Sequence, residues 1–214
     1  MINKFLSTAA ACCFISSTAL AGSSVPVSVA PVAVAAPVAA ATDWSGFYFG
    51  GLVSFDSGPT TAHTISTSTD FDPDELDPAT NYGVFAGYNK QMGSFVLGGE
   101  LAYSTGTYVG VAYPTTVWDY MADVKARAGY SLGRAMVYGV VGYSFSDLAT
   151  GPIEYNATGI SYGAGVDFMI TDRIFLGAEY LSRDLKGVNV ANPGSDVRID
   201  GVIQSAAIRV GMNF

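Results

Sequence analysis

The last thirteen residues, 202–214, leave this chain little choice of structure. Even positions carry Val202, Gln204, Ala206, Ile208, Val210, Met212 and Phe214, while odd positions carry Ile203, Ser205, Ala207, Arg209, Gly211 and Asn213. One parity is almost wholly apolar and the other holds a guanidinium, an amide, a hydroxyl and small residues, so the segment reads as a strand with two unlike faces. It stops on an aromatic residue. A soluble protein has little reason to end in mid-strand on an exposed phenylalanine, whereas a barrel in a bilayer turns such a face to lipid and the polar one to its lumen.

The same alternation recurs along the chain. Tyr82, Val84, Ala86 and Tyr88 oppose Gly83, Phe85, Gly87 and Asn89, and after a short turn at 90–94 Phe95, Leu97, Gly99, Leu101 and Tyr103 oppose Val96, Gly98, Glu100, Ala102 and Ser104. In the next segment Trp118, Tyr120, Ala122, Val124, Ala126, Ala128 and Tyr130 form one face, and every charge (Asp119, Asp123, Lys125 and Arg127) falls on the other. Residues 135–146, 160–170 and 174–183 repeat the pattern around turns at 131–134 and 171–173. With an opening strand over 43–54 the count is eight. Longer connections, over about 55–80, 105–116, 147–158 and 185–198, alternate with the short turns. The expected fold is therefore all-β: an eight-stranded antiparallel transmembrane β-barrel with short periplasmic turns and long extracellular loops. Trp118, Tyr130, Tyr143, Tyr180 and Phe214 stand near strand ends, where interfacial aromatics belong.

Composition agrees. Only 13% of residues are charged, against 25 glycines, 13 tyrosines and 12 phenylalanines, and a net charge of −8 offers no basic face to nucleic acid. Residues 1–21 have the form of a secretory signal, with Lys4, an apolar core from Phe5 and a small-x-small site at Ala19-Leu20-Ala21. Cleavage there removes both cysteines, Cys12 and Cys13, and with them disulfide or thiolate chemistry. Residues 22–42 form an Ala/Pro/Val-rich linker in which Pro26, Pro31 and Pro37 argue against a spanning helix. Residues 43–214 are left for the barrel.

The opening Asp43-Trp44-Ser45-Gly46-Phe47-Tyr48-Phe49-Gly50-Gly51 and the terminal Val210-Gly211-Met212-Asn213-Phe214, behind a signal peptide and such a linker, resemble the small outer-membrane β-barrel family of alphaproteobacterial surface antigens, related to opacity proteins and the OmpA transmembrane barrel. The resemblance implies a porin-like barrel of the Gram-negative cell envelope without a catalytic centre. It also implies surface exposure or adhesion by the loops, whose ligand the residues do not name.

The inward parity collects Glu100, Asp119, Asp123, Asp167 and Glu179 with Lys125, Arg127, Arg183 and Arg209. An eight-stranded barrel is just wide enough for side chains to fill, and buried charges persist only when paired. The expected lumen is salt-bridged. A narrow porin-like channel for small solutes is the alternative, and a soluble lipid-binding barrel, with the faces reversed, is a second. The expected partners are outer-membrane lipids, lipopolysaccharide and the barrel-assembly machinery, for which Val210, Met212 and Phe214 form a candidate assembly signal. No cofactor is expected. The acidic run Asp70, Asp72, Asp74, Glu75 and Asp77 lacks the glycine and terminal glutamate of a calcium loop, since Glu75 and Asn81 stand there. The single histidine, His63, has no nucleophile pattern about it.

Overall fold

The structure, a computed structural model, describes residues 42–70, 74–109, 111 and 116–214. The expected signal segment and all but the last residue of the linker lie outside the described residues, as does Asp72 of the acidic run.

Eight long antiparallel strands make a closed ring. They are β1 (Gly46–Thr64), β3 (Asp74–Met92), β4 (Phe95–Val109), β5 (Thr116–Leu132), β6 (Ala135–Thr150), β7 (Ile153–Met169), β8 (Ile174–Asn189) and β9 (Val197–Asn213), with a two-residue strand, β2 (Thr69–Asp70), folded back on the end of β1. Each strand pairs with the next, and β1 closes the ring on β9 from Tyr48↔Asn213 to Thr64↔Val197. Two connections on one side are two-residue turns, 93–94 and 133–134, where Gly93 (φ 64°) and Gly133 (φ 76°) take the left-handed backbone that such turns need.

The alternating parity decides which side each residue faces. Outward positions form a band of exposed apolar residues edged by aromatics: Phe47, Tyr88, Phe95, Tyr130, Phe168 and Phe214 near the short turns, and Phe55, Tyr82, Tyr103, Tyr143, Tyr162 and Tyr180 toward the other end. Between Lys90 and Thr80 on β3 lie about ten residues, which at a rise of about 3.3 Å and a tilt of about 40° cover about 25 Å, the height of an outer-membrane apolar belt. The soluble lipid-carrier arrangement is therefore excluded, because the apolar face is outside and the charges are within.

Above this band the strands continue. The stretches expected as loops are in large part strand: β1 runs to Thr64, β3 starts at Asp74, and the connection between β6 and β7 is only residues 151–152. Beyond the bilayer the outward face meets water and can be polar, so the alternation fades there while the backbone pairing does not. The inward face keeps its apolar residues.

Those residues divide the lumen into layers. A cluster at the short-turn end joins Trp44, Tyr48, Phe85, Val96, Met136, Met169 and Phe175, and a second cluster at the far end joins Leu76, Trp118, Met121, Leu148, Tyr155, Leu185, Ile199 and Ile203. The charged side chains lie between the two ends, with Ala102, Tyr138, Val140 and Leu181 of the first cluster packed at their level.

Candidate functional site

The centre of the lumen is an ion-pair layer supplied by seven strands. Arg209 of β9 donates from Nη1 to Glu179 Oε2 of β8 at 2.7 Å and to Glu100 Oε1 of β4 at 3.2 Å, and its Nη2 pairs with Glu100 Oε2. Arg127 of β5 donates from Nη2 to Asp167 Oδ2 of β7 at 2.6 Å and from Nη1 to Glu100 Oε2 at 3.0 Å. Lys125 bridges Glu100 Oε1 at 2.7 Å and Glu179 Oε1 at 2.5 Å. Glu100 thus faces three cations, while its own side chain is wholly shielded from solvent. Two tyrosines complete the layer. Tyr48 donates to Glu100 Oε2 at 2.9 Å and accepts from Arg127 Nη1 at 2.8 Å; Tyr138 donates to Glu179 Oε2 at 3.1 Å.

Local sequence makes this reach possible. Gly87 and Gly165 lie against the rings of Tyr48 and Tyr138, and a β-carbon at either glycine would collide with the tyrosine hydroxyl. The guanidinium of Arg127 lies over the Tyr138 ring at 3.9 Å and that of Arg209 over Phe85 at 4.0 Å, so the cations are held by ring faces as well as by carboxylates.

A second group lies beside the first. Arg183 grips Asp123 with two parallel bonds, Nε to Oδ1 at 2.9 Å and Nη2 to Oδ2 at 2.7 Å, while its Nη1 donates to Ser205. Ser144 also donates to Asp123 Oδ1, at 2.5 Å. Between the two groups is an enclosed space of about 20 Å³ bordered by Ser54, Ser104, Lys125, Glu179, Arg183 and Ser205, room for about one water molecule.

Of the nine charges expected inside, eight are there and buried: Glu100, Asp123, Lys125, Arg127, Asp167, Glu179, Arg183 and Arg209. Asp119 is not. It is exposed, and Trp118, expected in the outer aromatic girdle, is fully buried in the far apolar cluster. The cause is a β-bulge: Trp118 pairs with Leu148 but Ala122 with Phe145, so β5 carries one extra residue there and Asp119 and Tyr120 both turn outward. In its place the lumen receives Asp56, which lies in a stretch expected to be loop and is in fact on β1. It is buried and accepts from Ser54 Oγ at 2.7 Å and Asn81 Nδ2 at 2.6 Å. Tyr48 and Tyr138 were equally hidden in sequence, although their inward parity was the available signal.

The three candidate assembly residues face outward. Phe214 stacks on Phe49 at 5.4 Å, its N–H donates to Phe47 O at 2.9 Å, and Val210 is exposed on the same face with Met212 half-buried. His63 is on β1, 3.6 Å from Asp200 of β9.

A closed antiparallel ring with an apolar belt outside and paired charges within defines a small outer-membrane β-barrel. The family model described as outer membrane protein beta-barrel domain matches residues 27–214, and the chain belongs to that family. Its relatives include a 22 kDa outer membrane protein of Rhizobium leguminosarum bv. viciae, 31% identical over 155 residues that cover 70% of this chain and 68% of that one. A 31 kDa outer-membrane immunogenic protein of Brucella melitensis is 27% identical over 213 residues, covering 84% and 88%. Among solved structures the chain is similar to the outer membrane protein OprG from Pseudomonas aeruginosa, at 13% identity, 79% and 96% coverage and a TM-score of 0.46. The protein resides in the outer membrane, among its lipids and lipopolysaccharide.

Proposed function

We propose that this barrel is a structural element of the outer membrane: it supports the envelope and carries strand-stiffened loops at the cell surface, and its lumen neither conducts nor catalyses. The observation that carries the reading is the ion-pair layer enclosed between two apolar clusters. An ion entering from either end would have to displace a packed cluster containing a tryptophan and then break into carboxylates already paired at 2.5–3.2 Å. Water-filled pores need a wider ring of strands. Non-enzymatic character is supported by the role of the buried charges, which are paired with one another. For folding, the outward Val210, Met212 and Phe214 are the residues we assign to recognition by the barrel-assembly machinery.

The test is electrical. Purified, refolded protein in planar bilayers should give no stable unitary conductance. A stable unitary current in the wild type whose size changes in Arg209→Ala would establish the narrow channel and overturn the sealed lumen.

A further inference from the structure

We propose that residues 43–45 form a strap that closes the periplasmic mouth of the barrel, hinges at Gly46 and comes away as a unit without opening the ring of strands. Trp44 precedes β1 and belongs to no ladder, yet it is only 2% exposed. Its indole reaches across the mouth: the backbone N–H donates to Gln91 Oε1 on β3 at 2.8 Å, and Nε1–H donates to the carbonyl of Gly133, in the turn between β5 and β6, at 3.2 Å. The ring packs on Phe175 of β8 with centroids 6.2 Å apart. Three parts of the rim, distant in sequence, are therefore bridged by one residue, two of them through its indole.

The remaining fastenings are few and polar. Gln91 N–H donates to Ser45 Oγ at 3.0 Å, and Asn213 Nδ2 to Ser45 O at 3.4 Å. Asp43 Oδ1 accepts the Ser45 N–H at 2.9 Å, a bond that holds the Asp43 carboxyl below its ordinary range. By contrast β1 is laddered on both sides from Tyr48 onward. A segment fixed by one indole and a handful of exposed or half-exposed hydrogen bonds opens at lower cost than the ring to which it is attached.

The hinge is Gly46. Its φ of 128° is a conformation that residues with a β-carbon rarely take, and a β-carbon there would strike the carbonyl oxygen of Phe214. That turn directs the chain inward, under the mouth, instead of straight down from β1. Released, the strap uncovers Phe175 and admits water to the mouth, while the packed rings of Tyr48, Phe85 and Phe175 and the ion-pair layer behind them still block passage. The vestibule is thus a dead end governed from the periplasmic side, and any pull on the residues before Asp43 reaches Gly46, paired with Asn89 on one side alone, before it reaches the stretch laddered on both sides. The dead end rests on the sealed-lumen reading; the strap does not.

The chain has two tryptophans, so Trp118→Phe leaves Trp44 as the only indole. In the full chain refolded into phosphatidylcholine vesicles, Trp44 should emit at short wavelength and resist acrylamide. Adding Gly46→Ala should move the emission to the red and raise the quenching constant several-fold, while unboiled protein keeps its fast gel migration. Gln91→Ala, which removes the side-chain acceptor of the Trp44 N–H but keeps the backbone bond to Ser45 Oγ and spares the hinge, should give a smaller rise with the same fast band. An indole already open to acrylamide with Gly46 intact, or emission unchanged in both folded variants, overturns the strap. If Gly46→Ala abolishes the fast band, release without loss of the ring is refuted for the hinge and Gln91→Ala decides whether the indole leaves by itself: a rise sustains the strap, no change ends it. Wild-type conductance, which would defeat the sealed lumen, leaves these readouts untouched.

Discussion

Glu100 bears a heavy electrostatic load, since Lys125, Arg127 and Arg209 all converge on it. Removing its charge leaves three buried cations short of a counter-ion, and uncompensated buried charge is far costlier than the pair is stabilising. Glu100→Gln should lower the unfolding free energy in vesicles by about 3–5 kcal/mol, measured by urea titration of the refolded protein. Asp119→Asn is the internal control: in sequence Asp119 sits on the same parity as Asp123, but it is exposed, and its change should stay within about 0.5 kcal/mol. A large effect at Asp119 would mean that the bulge in β5 is misplaced. The contrast shows how a single extra residue in a strand separates two carboxylates that periodicity alone groups together.

At the scale of the element, β5 carries three environments in one strand. Trp118 is packed in the far apolar cluster, Lys125 and Arg127 are in the ion-pair layer, and Ala126 looks out at lipid. Trp118→Ala should cost about 3–5 kcal/mol through the cavity it leaves among Leu148, Leu185 and Ile203. Ala126→Arg should cost about 2–4 kcal/mol, because it places a cation in the bilayer midplane without removing any packed atom. Both are read from the same urea transition. An arginine at 126 that cost nothing would put the strand outside the hydrocarbon or turn the faces around. The bulges at Trp118/Ala122 in β5 and beside Pro78 in β3 lie above the apolar belt, where a strand can add a residue without exposing a polar backbone group to lipid.

The barrel formed by the described residues is longer than its apolar belt is tall. Inner-face apolar residues continue above the belt, so the extracellular part has a core of its own and is stiffened by paired strands, with residues 190–196 as one of its longer free connections. Outer-membrane fractions should yield a band that migrates faster before boiling than after it, since detergent does not open a ring with no free edge in its apolar belt. A protein that instead fractionated as a soluble species with no such shift would contradict the lipid-facing belt.

Much of this was legible in the sequence, for one reason. In a membrane barrel every strand faces lipid on one side and a packed lumen on the other, so side-chain polarity repeats with period two, and the parity of residues 202–214 alone placed Arg209 inside and Phe214 outside. That rule gave the strand count, the closed antiparallel ring and eight of the nine inward charges. It failed where the two faces stop being chemically different or where the count slips. Above the bilayer the outer face becomes polar, so strand was read as loop and Asp56 was overlooked; at the β5 bulge the parity inverts, so Asp119 and Trp118 exchanged sides. The partners within the ion-pair layer, the reach of Tyr48 and Tyr138 over glycines, and the return of Trp44 beneath the mouth depend on which strands face one another across the lumen. Only closure of the ring brings those groups together, because they are separated by 25 (Glu100 to Lys125) to 131 (Trp44 to Phe175) residues of chain and no local pattern records a contact at that distance.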